Sequence, residues 1–158
     1  MKFENDISDF LRFSFEENLK MIMVGGGAVN FHGYQRHSAD VDFWISIEKN
    51  NLEKLVNVLK KMGIGIEKLP KPIFEGKQNI SIKISPLQTI ELITNFNPNK
   101  SFEEAYKSSI ETNIEGIPVS RYRVISYDDL ITSKIKSGRP KDLLDIQELE
   151  RRKNKNEG

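Results

Sequence analysis

The stretch VGGGAVNFHGYQRHSADVDFW, residues 24–44, decides how the rest of the chain is read. Met21 to Val24 is an unbroken apolar run, as a buried strand requires, and it stops at Gly25-Gly26-Gly27. The turn there leads into a helix from Ala28 to about Tyr34. Beyond it DVDFWISI alternates: Phe43, Ile45 and Ile47 point one way, while Asp40, Asp42, Trp44 and Ser46 point the other. Glycine lets a phosphate approach the backbone with no Cβ in the way, and a helix start offers free N–H groups. A Gly-rich turn before a helix is, however, more often only a turn.

Asp40-Val41-Asp42 is the more specific signal. Carboxylates at i and i+2 of a strand share one face, about 6.5 Å apart along the chain. Like charges at that range repel, and Asp is disfavoured in strands. A divalent cation is the simplest compensation, since Mg²⁺ takes one or two carboxylates and completes its shell with substrate phosphates. An edge strand with a wet outer face would carry the same pair.

Glu91 interrupts the apolar segment QTIELIT. It shares a face with Thr89 and Ile93, while Ile90 and Leu92 point the opposite way. If this strand lies beside DVDFW, three carboxylates converge. Such a set suits two metal ions about 4 Å apart, clamping the attacking and leaving oxygens of an in-line phosphoryl or nucleotidyl displacement. Glu91 would then also be placed to take a proton from the attacking hydroxyl. A solvent-facing acid on an outer strand is the plain alternative.

Working outward, residues 4–19 read as an amphipathic opening helix, and 50–62 as a second helix capped by Asn50 or Asn51. Residues 63–79 read mainly as a loop, whose Lys68, Lys71 and Lys77 could close over a substrate. Strands follow at 80–84 and 89–94, a short helix near 102–109, and a hairpin around 112–125 with Gly116 and Pro118. Helices at 127–137 and 141–152 flank Gly138-Arg139-Pro140. The expected fold is α+β, α/β-like, with helices packed on a mixed sheet. One domain over 1–150 and a frayed tail, RRKNKNEG, complete the reading.

Composition narrows the function. Twenty-four basic residues against 23 acidic ones give no electrostatic case for nonspecific DNA or membrane-surface binding. The absence of cysteine excludes disulfides, thiolate metal sites and a Cys nucleophile. No apolar run approaches the length of a spanning helix, no secretory signal is legible, and a cytoplasmic location is expected.

Val24-Gly25-Gly26, thirteen intervening residues, Asp40-Val41-Asp42 and a later acidic strand together resemble the nucleotidyltransferase superfamily signature. The local text is most similar to its minimal branch, which includes antibiotic nucleotidyltransferases and abortive-infection type toxins. Ala28, His32-Gly33, Arg36 and Ser38 match positions that this branch shares before its Asp pair. SKIKSGRPKDLLDIQEL resembles its Lys on one helix and Lys-Asp pair opening the next. Glu91 stands where Asp is commoner in that superfamily. The resemblance implies that Asp40, Asp42 and Glu91 bind Mg²⁺, with Mn²⁺ as an alternative, and that Gly25 and Gly26 hold the triphosphate of an NTP.

Lys134 points a cation toward the expected buried side, on a face shared with Tyr127, Ile131 and Ile135. It reads as a phosphate contact or as a snorkelling lysine. Arg36 would brace the Asp pair or a phosphate, or simply face solvent. His32 and His37 read as structural or exposed, since two His without a third ligand make a poor zinc site. Asp142 is explained by a first helical turn, and Asp145 by an i,i+4 surface pair with Lys141. The expected activity is transfer of a nucleoside monophosphate to a hydroxyl of a small molecule, a tRNA or a protein. The alternative is a non-catalytic or partner-dependent module, such as one component of a toxin–antitoxin pair.

Overall fold

Met21–Val24 (β1) is apolar at every position because it lies inside the sheet, paired along both edges and buried throughout. The computed structural model describes residues 5–36 and 40–157. On one side β1 runs antiparallel to Asp40–Ile45 (β2), in register from Met21↔Ile45 to Val24↔Asp42. On the other it runs parallel to Ile117–Val124 (β6). Ile80–Ser85 (β3) and Gln88–Ile93 (β4) form a hairpin, and β4 lies parallel to β2. Ile110–Ile114 (β5) closes a second hairpin with β6, through Gly116 at φ +86°. The result is a mixed six-stranded sheet in the order β3-β4-β2-β1-β6-β5, with helices against it, as expected for the α+β class.

Asn5–Glu16 (α1) and Lys49–Lys61 (α3) pack on each other, and Phe10 of α1 meets Phe43 of β2 with ring centroids 5.8 Å apart. On the acidic face of β2, Trp44 is buried under Phe96 and under Phe102 of Phe102–Ser108 (α5), each ring centroid 5.2 Å away. That face is therefore covered at its Trp44 end and open at its Asp40 end. A capping box of Ser101 and Glu104 starts α5. Ser126 caps Tyr127–Ser137 (α6), and Gly138, at φ +60°, ends it before Pro140–Glu157 (α7).

Four boundaries depart from expectation. The helix after β1 is Gly25–Phe31 (α2), so the three glycines form its first turn instead of preceding it. Residues 63–79 contain one helical turn, Lys71–Phe74 (α4), pinned by buried Leu69 and Ile73. Neither Asn50 nor Asn51 caps α3, whose N-cap is Glu48. The Asn51 side chain is buried instead; it accepts from Lys20 N at 2.8 Å and donates to Lys20 O and Ser46 O. Lastly, α7 continues to Glu157, through most of RRKNKNEG. Arg152 lies over the Tyr34 ring and Lys153 over Tyr127, contacts that hold the extra turn down. Among the described residues no helix is long and apolar enough to cross a membrane.

Candidate functional site

In the parallel pairing of β2 with β4, Asp42 stands opposite Glu91 and Asp40 opposite Thr89. Register partners share a face, so Asp40, Asp42 and Glu91 lie on one side of two adjacent strands. The adjacency on which the sequence reading depended is present. Asp42 is half-buried and its pKa is pushed up to about 6, first by burial and then by the charges of Asp40 and Glu91. Lys141 and Lys134 pull the other way. Ser81, facing Glu91 from β3, donates its hydroxyl to Glu91 Oε2. Among the described residues, no three His, Cys, Asp or Glu side chains are already closed around one point. The three acids therefore form a shared electrostatic cluster whose side chains are not drawn in as a ligand shell.

Gly25 follows Val24, the register partner of Asp42, and has φ +61°. A Cβ placed on it would lie 2.2 Å from Asp42 Oδ2, so the carboxylate occupies the room that any other residue would fill. Gly27 is similarly close to Met23, whose Sδ would lie 2.8 Å from an added Cβ. The glycine run thus serves two close approaches, one to an acid and one to the floor of α2.

Lys134 is buried on α6, as its unusual face suggested, but it does not snorkel. Its Nζ lies 2.9 Å from Asp145 Oδ2 and 3.3 Å from Asp142 Oδ1. Ile135, expected on the same face, is exposed instead. Arg36 also reaches Asp145, at 3.0 Å through Nε and 3.1 Å through Nη2, and Arg139 donates to Asp142 at 2.7 Å. Asp142 and Asp145 are 1% and 2% exposed. The reading of Asp145 as a surface partner of Lys141 is therefore overturned, and Asp142 does more than favour a helix start. Burial works to raise the Asp142 pKa, but Arg139 and Lys134 outweigh it and hold the carboxyl below its ordinary value.

His32 is structural. Its Nε2 donates to the Ile125 carbonyl at 2.8 Å, and its ring meets Phe31 and Tyr127 edge-on. Burial lowers its pKa against the opposing effect of that hydrogen bond. Arg36 is set in place by its backbone N–H, which Asn30 Oδ1 accepts at 2.9 Å. Ser38 and His37 lie outside the described residues.

The arrangement is thus an acidic cluster on β2 and β4, a glycine turn leaning on it, and a clamp of α6 and α7 whose cations reach it through their field. No curated protein matches the chain. A family model described as "Nucleotidyltransferase of unknown function (DUF6036)" matches residues 5–154. The chain belongs to this nucleotidyltransferase family, the placement that its glycine turn and paired aspartates had suggested.

Proposed function

We propose that this chain is a divalent-metal-dependent enzyme that transfers a nucleoside monophosphate from an NTP to a hydroxyl of an acceptor, releasing pyrophosphate. The supporting observation is the acidic cluster of Asp40, Asp42 and Glu91, where burial and then the two neighbouring charges lift the Asp42 pKa, beside a glycine with no room for a side chain. Hard carboxylate oxygens fit Mg²⁺, with Mn²⁺ as an alternative. A carboxyl whose ionised form is disfavoured by burial and by like charges regains it when a cation arrives.

Asp40 and Asp42 would hold the ion and Glu91 would complete the set. Once bound, the ion would polarise phosphoryl oxygens and shield their charge. Glu91, oriented by Ser81, suits acceptance of the proton from the attacking hydroxyl. Gly25 and Gly26 would hold the triphosphate beside the Asp42 carboxylate, which fills the place of a Gly25 side chain. Lys134 is already held by Asp142 and Asp145, so its role is to keep a positive field toward Asp42 and the phosphates. Arg36, fixed by Asp145, would be a nucleotide contact, and the family resemblance assigns Ser38 the same role. We place the reaction in the cytoplasm, with a small molecule, a tRNA or a protein as acceptor.

A second reading, a non-catalytic or partner-dependent module such as one half of a toxin–antitoxin pair, draws on a different observation. Glu91 is turned to Ser81, and among the described residues no three ligating side chains surround one point. A partner would then be needed to complete the site.

Purified protein incubated with each labelled NTP, with and without Mg²⁺, should transfer label or release pyrophosphate only with the ion. Asp42→Asn should abolish this, and full activity in that variant would end the proposal. Activity that appears only when a tightly bound native partner is added would support the second reading.

A further inference from the structure

At the Met21 end of β1, away from Gly25, lies a cavity of about 370 Å³. It is formed by α1, α5 and the β5–β6 hairpin, and its volume is within the range of small-molecule sites. Arg121 and Arg123 are two residues apart on β6, and both grip one carboxylate. Arg121 Nη1 is 2.7 Å from Glu111 Oε1, and Arg123 Nη2 is 3.1 Å from Glu111 Oε2. Lys20 and Lys54 complete the rim. Four cations against the single carboxylate Glu111 leave a surplus of three positive charges around the cavity, in a chain whose net charge is only +1. Lys20 also pairs with Glu103 at 3.5 Å, but both side chains are more than two-fifths exposed, so that pair is weak.

The lining also includes Leu11 and Leu19, both buried, and the half-exposed ring of Phe15. Ser14 lines the same cavity. It is 2% exposed, and its hydroxyl is closed off from the cavity. A basic rim beside the half-exposed ring of Phe15 describes a receptor for an amphiphilic anion.

We infer that this cavity binds an organic phosphate of mononucleotide size. Arg121 and Arg123 hold its phosphate in the place that Glu111 fills, with Lys20 and Lys54 adding charge. Its apolar part lies over the half-exposed ring of Phe15. Guanidinium pairs favour this anion because they donate in parallel to phosphate oxygens. The site needs no divalent ion and does not rest on the proposed transfer reaction.

The test is titration of 5′-AMP into ¹⁵N-labelled protein in EDTA, followed by amide shifts. Saturable shifts at Ser14, Lys20 and Arg123, with a Kd on the order of 1 mM or tighter, are expected. Arg123→Gln should weaken binding by about tenfold, the loss of one charged hydrogen bond. Asp42→Asn should leave it unchanged. Adenosine and inorganic phosphate should each bind at least about tenfold more weakly than 5′-AMP. The inference is overturned by shifts confined to Gly25–Gly27, by adenosine or inorganic phosphate binding as tightly as AMP, or by no saturation up to about 10 mM.

Discussion

Asp42 Oδ2 stands where a side chain on Gly25 would have to be, 2.2 Å from the Cβ position. The two residues are adjacent through the antiparallel register of β1 and β2, which sets Val24 against Asp42. A left-handed backbone at Gly25 and a carboxylate leaning across it are therefore one local solution.

Gly25→Ala should lower stability by about 1–2 kcal/mol for the left-handed conformation alone, and by more for displacing the carboxylate. At 158 residues this corresponds to a Tm decrease of roughly 4 °C or more. In an Asp42→Ala background the cost should shrink, because the atom that is met has gone. Thermal melts of the four proteins check this, and strict additivity would show that the two residues are uncoupled.

Asp42 gives the metal-free protein an unusual pH response. Its folded pKa, about 6, exceeds the ordinary 3.8, so the folded state binds the proton more tightly than the unfolded one. Stability from this group is fully present below about pH 4 and is lost as pH rises through 6. Because the side chain is partly exposed, we expect about 1 kcal/mol from it after solvent screening. Asp42→Asn should remove that decline in urea melts run in EDTA. Added Mg²⁺ should restore stability to the native protein near pH 7 and leave the variant unmoved.

His32 acts in the opposite direction. Burial lowers its folded pKa, so its contribution is present above the unfolded value of about 6.5 and is lost as pH falls through the folded one. Replacing it with Gln should flatten the acid side of the stability curve below pH 6.5. The same urea melts distinguish this from the Asp42 effect by the sign of the slope.

Alternation along DVDFW and QTIEL was enough to put Asp40 and Asp42 on one face of their strand and Glu91 on the face opposite Ile90 and Leu92, because a two-residue period is local. That the two strands are neighbours in register is a long-range pairing the sequence does not show. Asp142 and Asp145 were not legible in the same way. Each had a sufficient local explanation, a helix start or Lys141 one turn away, and nothing nearby reveals that Arg36, 109 residues from Asp145, arrives to bury it. Asn51 misled for the same reason. Its composition suits a cap, but its three partners belong to Lys20 and Ser46, beyond the reach of helical spacing. The added length of α7 likewise depends on distant Tyr34 and Tyr127.

Asp145→Ala should be among the most damaging single substitutions, at about 3 kcal/mol, since it leaves Arg36 without its carboxylate and Lys134 with one fewer. Arg36→Ala should cost less, because Lys134 still neutralises Asp145. A double-mutant cycle by chemical denaturation should give a coupling of about 1 kcal/mol or more between Arg36 and Asp145. A coupling near zero would mean that the Arg36 contact contributes nothing to the clamp.

The order β3-β4-β2-β1-β6-β5 has a consequence for how the protein breathes. Sheets loosen from their margins inward, so amides of β1 and β2 should exchange with solvent last and those of β3 and β5 first. The glycine turn and both aspartates are thus rooted in the slowest-opening strands. Glu91 sits one strand from the rim with only a hairpin arm outside it, so the third carboxylate is the one that small local openings would carry away from its neighbours.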